Sequence, residues 1–222
     1  MTIAQSALEL IRDGDRVGLG TGRAATALVQ ALGAAVAQGL KVRCVPTSEA
    51  TAALARELKI PLSALAELGT LDIALDGADE VDPALNMVKG LGGALVREKI
   101  VAASAQRLVI LVGPEKLVPA LGHRGRLPVE IIPFAEPLVT RRLAELGYGC
   151  QRRLAGAEPF VSDNGNWILD VVTTDLADPA EFEQALIAIP GVVDTGLFLG
   201  MADIVLIDEP SGTRRLERPK SR

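Results

Sequence analysis

Rings are scarce in this sequence: one Trp, one Tyr and four Phe among 222 residues, 3% in all. A core built with so few rings is filled mainly by Ala, Val, Leu and Ile. The scarcity also argues against nucleic-acid binding, which uses aromatic platforms beside basic residues. The formal net charge of −5 argues the same way. Histidine occurs once, as His123 in a glycine-rich loop, and is expected at the surface. Zinc sites and Ser-His-Asp triads usually need that residue, so both are disfavoured. Cys44 and Cys150 lie far apart with no CxxC, which fits thiols of a cytoplasmic protein and not a disulfide framework. No run approaches the roughly 18 apolar residues of a membrane span. The N-terminal MTIAQSALELIRDGD lacks the basic and apolar regions of a signal peptide.

What is present is globular: 49% hydrophobic and 23% charged residues. Residues 3–12 have helical periodicity. Strands are expected at 16–19, 41–45, 71–75 and 107–112, with helices at 24–37, from 47–49 to about 59, and at 93–105. Such alternation points to a doubly wound, mostly parallel α/β sheet. From residue 128 the order becomes β-α-β-β-α-β, the split unit of a small ferredoxin-like α+β domain. A last strand at 203–207 returns to the first sheet. The expected division is therefore residues 1–126 plus 200–222 as a Rossmann-like domain, with 127–199 inserted. The basic GTRRLERPKSR reads as a solvated or frayed tail.

VGLGTGRAATALVQAL reads as a strand, a glycine turn and an Ala-rich helix. Free amides and the positive end of a helix bind anions there. The third glycine comes one residue too early for G-x-G-x-x-G, and no acid closes the next strand to hold a ribose. There is no GxxxxGK[ST]. A plain strand–helix turn is the competing reading.

The segment LDIALDGADEVDPALNMVKGLGGALVREKIVAASA carries more information. Asp76 ends an apolar strand, where ligands sit in open parallel sheets. Asp79, Glu80 and Asp82 are expected on the turn that follows. Counted from Asp76, position 3 is Ala78 and position 12 is Met87, so an EF-hand loop fails. A looser magnesium site stays open at this point. Lys89 precedes a second glycine-rich approach to a helix. On that helix Ala94, Leu95, Val101 and Ala102 surround Glu98 at i±3 and i±4, so an acid projects from an apolar face. It is either paired with a distant cation or made more basic by desolvation.

LDGADEVDPALNMVKGLGGALVREKIV resembles the signature of type A ribose-5-phosphate isomerases. GLGTG, PTSEAT, EKLV, LPVEIIPFA, DNGNWILDV and IPGVVDTGLF follow the family order along nearly the whole chain. The resemblance implies reversible aldose–ketose isomerisation through an enediolate, with no cofactor and no metal, in a cytoplasmic homodimer or homotetramer. It implies Glu98 as the base, and Asp76 and Asp79 on sugar hydroxyls, with Gly77 and Ala78 between them. Lys89 would meet the oxyanion, with the amides of Gly90, Leu91 and Gly92, and Lys116 would add positive charge. Thr21, Gly22, Arg23 and Ala24 would hold the phosphate. The family loop usually reads GTGST and many members carry an early lysine. Here both hydroxyls and that lysine are missing; Arg23 is expected to replace them, the competing reading being that Arg23 points to solvent and the backbone amides suffice. The other readings weighed are a sugar-phosphate sensor on the same fold, an amino-sugar phosphate isomerase and a CoA transferase.

Overall fold

The computed structural model describes residues 2–219. The chain divides into two compact units. The first holds the chain up to Ala78, Arg97–Lys116 and everything from Gly200; the second holds Asp79–Val96 and Leu117–Leu199. The stretch Leu117–Leu199 contains all of residues 127–199.

The first unit is built on a six-stranded sheet, in the order Gly212–Glu217, Ile204–Glu209, Leu108–Val112, Ile73–Gly77, Arg16–Leu19, Arg43–Pro46. All neighbours run parallel except the terminal pair Ile204–Glu209 and Gly212–Glu217. The parallel strands, numbered along the chain, are arranged 2-1-3-4-5. The direction of winding therefore reverses between Arg16–Leu19 and Ile73–Gly77, and ligands of doubly wound sheets bind at the carboxyl ends flanking such a point. Both faces of the sheet are covered. Val17, Leu19, Ile73 and Leu75 pack with Leu28, Val29 and Leu32 of helix Arg23–Ala37. On the other face, a Cβ added to Gly18 would lie 2.5 Å from Cγ1 of Val101 and 2.9 Å from Cβ of Ala74. Glycine there lets helix Leu95–Ala103 approach the sheet.

One expectation is corrected. Gly212–Glu217 is not a frayed tail but an antiparallel edge strand. Its charges are those of an edge: Arg214 pairs with Glu209 at 2.6 Å and Arg215 with Glu217. Residues 220–222 of that tail lie outside the described residues.

The second unit carries an antiparallel sheet in the order Val192–Thr195, Leu127–Ile131, Trp167–Val171, Cys150–Arg152. This is the expected split β-α-β arrangement, with helices Glu136–Glu145 and Pro179–Ile187. Leu127, Val129, Ile131, Leu169 and Val171 form its core with Val139, Leu143, Phe182 and Leu186. Beside it, Glu80–Val81, Met87–Val88 and Leu197–Phe198 make a three-stranded antiparallel sheet.

Candidate active site

In the first unit, the two strands at the winding reversal end in Gly20-Thr21 and in Asp76. The Gly20 amide donates to Leu75 O at 2.9 Å, continuing the ladder. The Asp76 carboxylate is buried, and its Oδ1 accepts from the amides of Thr21, at 3.0 Å, and Gly77, at 2.7 Å. Gly20 is dictated by this carboxylate: an added Cβ would lie 2.2 Å from Asp76 Oδ1. Gly22 is there for its backbone. It has φ +101° with nothing within 4 Å of an added Cβ, and it opens helix Arg23–Ala37 without a side-chain cap. The first intrahelical bond runs from Thr26 N to Gly22 O at 2.8 Å. The amides of Arg23, Ala24 and Ala25 precede it and are the unsatisfied donors of a helix start. Arg23 is exposed at this end.

The Thr21 hydroxyl faces inward. It lies 2.8 Å from Thr47 Oγ1, 2.8 Å from Ser48 Oγ and 3.2 Å from Thr51 Oγ1. Thr51 Oγ1 donates to Gly20 O at 2.9 Å, and Ser48 caps helix Glu49–Glu57 through the Thr51 amide at 3.1 Å. PTSEAT was only a family landmark in the sequence. Its structural work is to brace the glycine loop, and the hint was three hydroxyls at 47, 48 and 51 beside a helix cap.

Glu98 lies on helix Leu95–Ala103 and is 4% exposed. Ala94, Leu95, Val101 and Ala102 are all buried, as the spacing required. Arg97, its sequence neighbour, sends its guanidinium to Glu49 at 2.9 Å, and that hydrogen bond holds the Glu49 carboxyl below its usual range. Lys116 closes the 3₁₀ turn Pro114–Lys116 that follows strand Leu108–Val112.

In the second unit, Asp79 Oδ2 accepts from the Leu91 amide at 3.0 Å. Lys89 is 2% exposed; its amide donates to Gly196 O at 2.8 Å and its Nζ sits 5.4 Å from the Phe198 ring centroid. Gly90 has φ +94°, and a Cβ there would meet Leu95 Cβ at 2.6 Å. Glu80 departs from the expected acidic turn. It is buried in a short strand and accepts from the amides of Gly122 and Arg124, each at 2.6 Å. Asp82 accepts from the Asn86 amide at 2.8 Å. Both acids are engaged by main-chain amides, Asp82 locally and Glu80 from far along the chain. No cluster of three or more His, Cys, Asp or Glu suited to a metal occurs among the described residues. His123 is exposed, as expected, 2.7 Å from Asp175.

The family model of ribose 5-phosphate isomerase A (phosphoriboisomerase A) matches residues 43–212. The chain belongs to this family. It is 50% identical to the ribose-5-phosphate isomerase A of Roseiflexus sp. (strain RS-1) over 99% of this chain and 95% of that protein. It is 46% identical to that of Bradyrhizobium diazoefficiens, over 98% and 94%. Among solved structures, ribose 5-phosphate isomerase A from Methanocaldococcus jannaschii superposes with a TM-score of 0.93 at 40% identity, covering 97% of this chain and 96% of that one. A D-ribose-5-phosphate isomerase in complex with phospho-erythronic acid superposes with a TM-score of 0.94 at 37% identity, covering the same shares, 97% and 96%. These relatives carry the α/β assignment with them.

Proposed function

We propose that the protein interconverts D-ribose 5-phosphate and D-ribulose 5-phosphate through an enediolate, in the non-oxidative branch of the pentose phosphate pathway. The observation that carries this reading is Glu98, a 4% exposed carboxylate on an otherwise apolar helix face, in a chain of this family. A carboxylate held on a buried helix face and kept from bulk water suits a base for a carbon acid.

On the open-chain aldose, Glu98 takes the proton from C2 and returns it to C1, while the hydroxyl proton passes from O2 to O1. The negative charge that develops on oxygen is met by Lys89, with the amides of Gly90 and Gly92 beside it, the Leu91 amide being given to Asp79. Asp76 and Asp79 receive sugar hydroxyls and assist ring opening, with Gly77 and Ala78 between them. Two amides fix the orientation of Asp76 through its Oδ1. The phosphate rests on the helix start at residues 21–24, where the amides after Thr21 and the Arg23 guanidinium supply the donors, the Thr21 amide being given to Asp76. Lys116 adds positive charge. Phospho-erythronic acid, held by the solved relative, bears a carboxylate that imitates the enediolate charge, and is expected to inhibit this chain competitively.

The protein acts in the cytoplasm as a homodimer or homotetramer. Phe134 is 95% exposed and Ile132 is half-exposed nearby, apolar surface that suits assembly. No described helix is long and apolar enough to cross a membrane.

The deciding experiment is a coupled assay on ribose 5-phosphate comparing wild type with Glu98→Gln. The variant is expected to lose nearly all activity while keeping its fold. Equal activity in the two would overturn the assignment of the base. Inactivity of both, with sugar phosphate still bound, would favour a sensor.

A further inference from the structure

Arg153 is a buried cation of the second unit with several hydrogen-bond partners. Only 9% exposed, it follows strand Cys150–Arg152, and its amide donates to Ile168 O at 2.8 Å. Its guanidinium is used on two sides. Nε, at 3.0 Å, and Nη2 donate to the two carboxylate oxygens of Asp170. Nη1 donates to two carbonyls of the glycine loop, Gly90 O at 3.1 Å and Leu91 O at 3.0 Å. Asp170 also receives Arg126, so two cations share one anion and positive charge is left over for the loop. Burial pushes the Asp170 carboxyl up, but the bonds from Arg153 and Arg126 outweigh it and hold the group ionised. Phe160 completes the clamp. Its ring lies 5.8 Å from the guanidinium carbon, and its Cζ would be 2.3 Å from a Cβ on Gly93.

Peptide planarity turns this clamp into an aiming device. In a trans peptide the N–H points opposite the C=O of the same unit. Holding Gly90 O therefore sets the Leu91 N–H, and that proton is used on Asp79 Oδ2 at 3.0 Å. Holding Leu91 O sets the Gly92 N–H, which has no partner among the described residues. That donor points away from Arg153.

We infer that Arg153 is a positioning residue that aims the Gly92 amide at the oxyanion of the enediolate, by gripping the carbonyls of Gly90 and Leu91 from behind. The inference rests on the assignment of residues 89–92 to the oxyanion. Arginine is required because one planar fork must satisfy a carboxylate and two carbonyls together; the single ammonium of lysine cannot span them.

The test uses Arg153→Lys and Arg153→Met in the full chain. Arg153→Lys keeps a cation for Asp170 and is expected to stay folded. Its kcat falls by about tenfold to a hundredfold, the range for a misplaced donor. KM for ribose 5-phosphate stays within about threefold, because the phosphate end is untouched. The inhibition constant of phospho-erythronic acid rises along with the loss of kcat. A purely structural ion pair would lower the melting temperature and leave the kcat-to-KM split and the inhibitor alone. Wild-type kcat in folded Arg153→Lys would overturn the inference, even if Arg153→Met fails to fold. Glu98→Gln assayed in parallel separates the two failures: if it is inactive while Arg153→Lys is normal, only this inference falls; if it is active, the reading of the site itself falls.

Discussion

Gly20→Ala is the sharpest test of how the phosphate loop and the first carboxylate of the site depend on each other. The new Cβ would sit 2.2 Å from Oδ1, 2.3 Å from Cγ and 2.6 Å from Cα of Asp76. Ordinary contact begins near 3.5 Å, so a shift of about 1 Å is forced. Because Cα of Asp76 is among the clashing atoms, rotation of its side chain alone does not relieve the contact. Displacement breaks the bonds from the Thr21 and Gly77 amides, at 3.0 and 2.7 Å. Hydrogen bonds to a charged acceptor are each worth about 1.5–3 kcal/mol. Overpacking of this kind costs about 1–3 kcal/mol of stability, and misplacement of a reacting group by 1 Å costs about a hundredfold in kcat/KM. Urea unfolding and the coupled isomerase assay read the two effects. Gly22→Ala is the control, since only its backbone is strained, at φ +101° with open space around it. It is expected to lose about 1–3 kcal/mol of stability with less effect on kcat. A Gly20→Ala enzyme with kcat/KM within twofold of wild type would refute the claim that this glycine exists to seat Asp76.

Three further outcomes are expected. Thr51→Val removes a buried donor to Gly20 O and a neighbour of the Thr21 hydroxyl, so denaturant melts should show a loss of about 1–3 kcal/mol and assays a raised KM; unchanged stability would mean that the hydroxyl cluster does not brace the loop. Hydrogen bonds from Arg16 hold the Asp72 carboxyl down at about 2 in the fold, below its unfolded value of about 3.9. A lowered value gives stability that is fully present above about pH 4 and is lost as pH falls toward 2. Asp72→Asn should therefore melt below wild type at pH 7 and converge with it in acid, and a gap that stayed constant would contradict the pairing. Arg23→Ser should raise KM for ribose 5-phosphate by about tenfold, one charge-assisted contact, with kcat nearly unchanged; an unaltered KM would mean that the main chain suffices.

The legibility of this chain follows the range of the interactions. Strands such as Leu108–Val112, buried at every position, leave an uninterrupted apolar run that sequence alone displays. Gly20, Asp76 and Gly90 were visible because chain direction places them where strands end or helices begin. Gly212–Glu217 was missed because an edge strand carries charge on purpose, and RRLE reads like a tail. Glu80 was misread for a related reason. A run of acids looks solvated, whereas Glu80 is buried and accepts hydrogen bonds from amides 42 and 44 residues away. Arg153 and its carbonyls are 62 and 63 residues apart, and no local period announces such a choice.

The proposed phosphate role of the loop at residues 20–24 has a consequence for the ligand-free protein. The only hydroxyl it retains, on Thr21, is bound to Thr47, Ser48 and Thr51, so the side chain serves the loop. On the proposed reading, anion binding falls to the main chain and to Arg23. A cation at the first position of a helix opposes the helix dipole, an effect of about 0.3–1 kcal/mol. No acid in the first turn and no side-chain cap at Gly22 offsets it. Such a helix start is held in an electrostatically unfavourable state until a phosphate dianion arrives, and binding the dianion removes the repulsion as well as adding contacts. The same Arg23→Ser substitution that weakens phosphate binding should therefore slightly stabilise the ligand-free protein. Serine at that position would also restore the helix-start hydroxyl of the family loop. A variant destabilised when free and unchanged in KM would show that Arg23 serves the fold and not the phosphate.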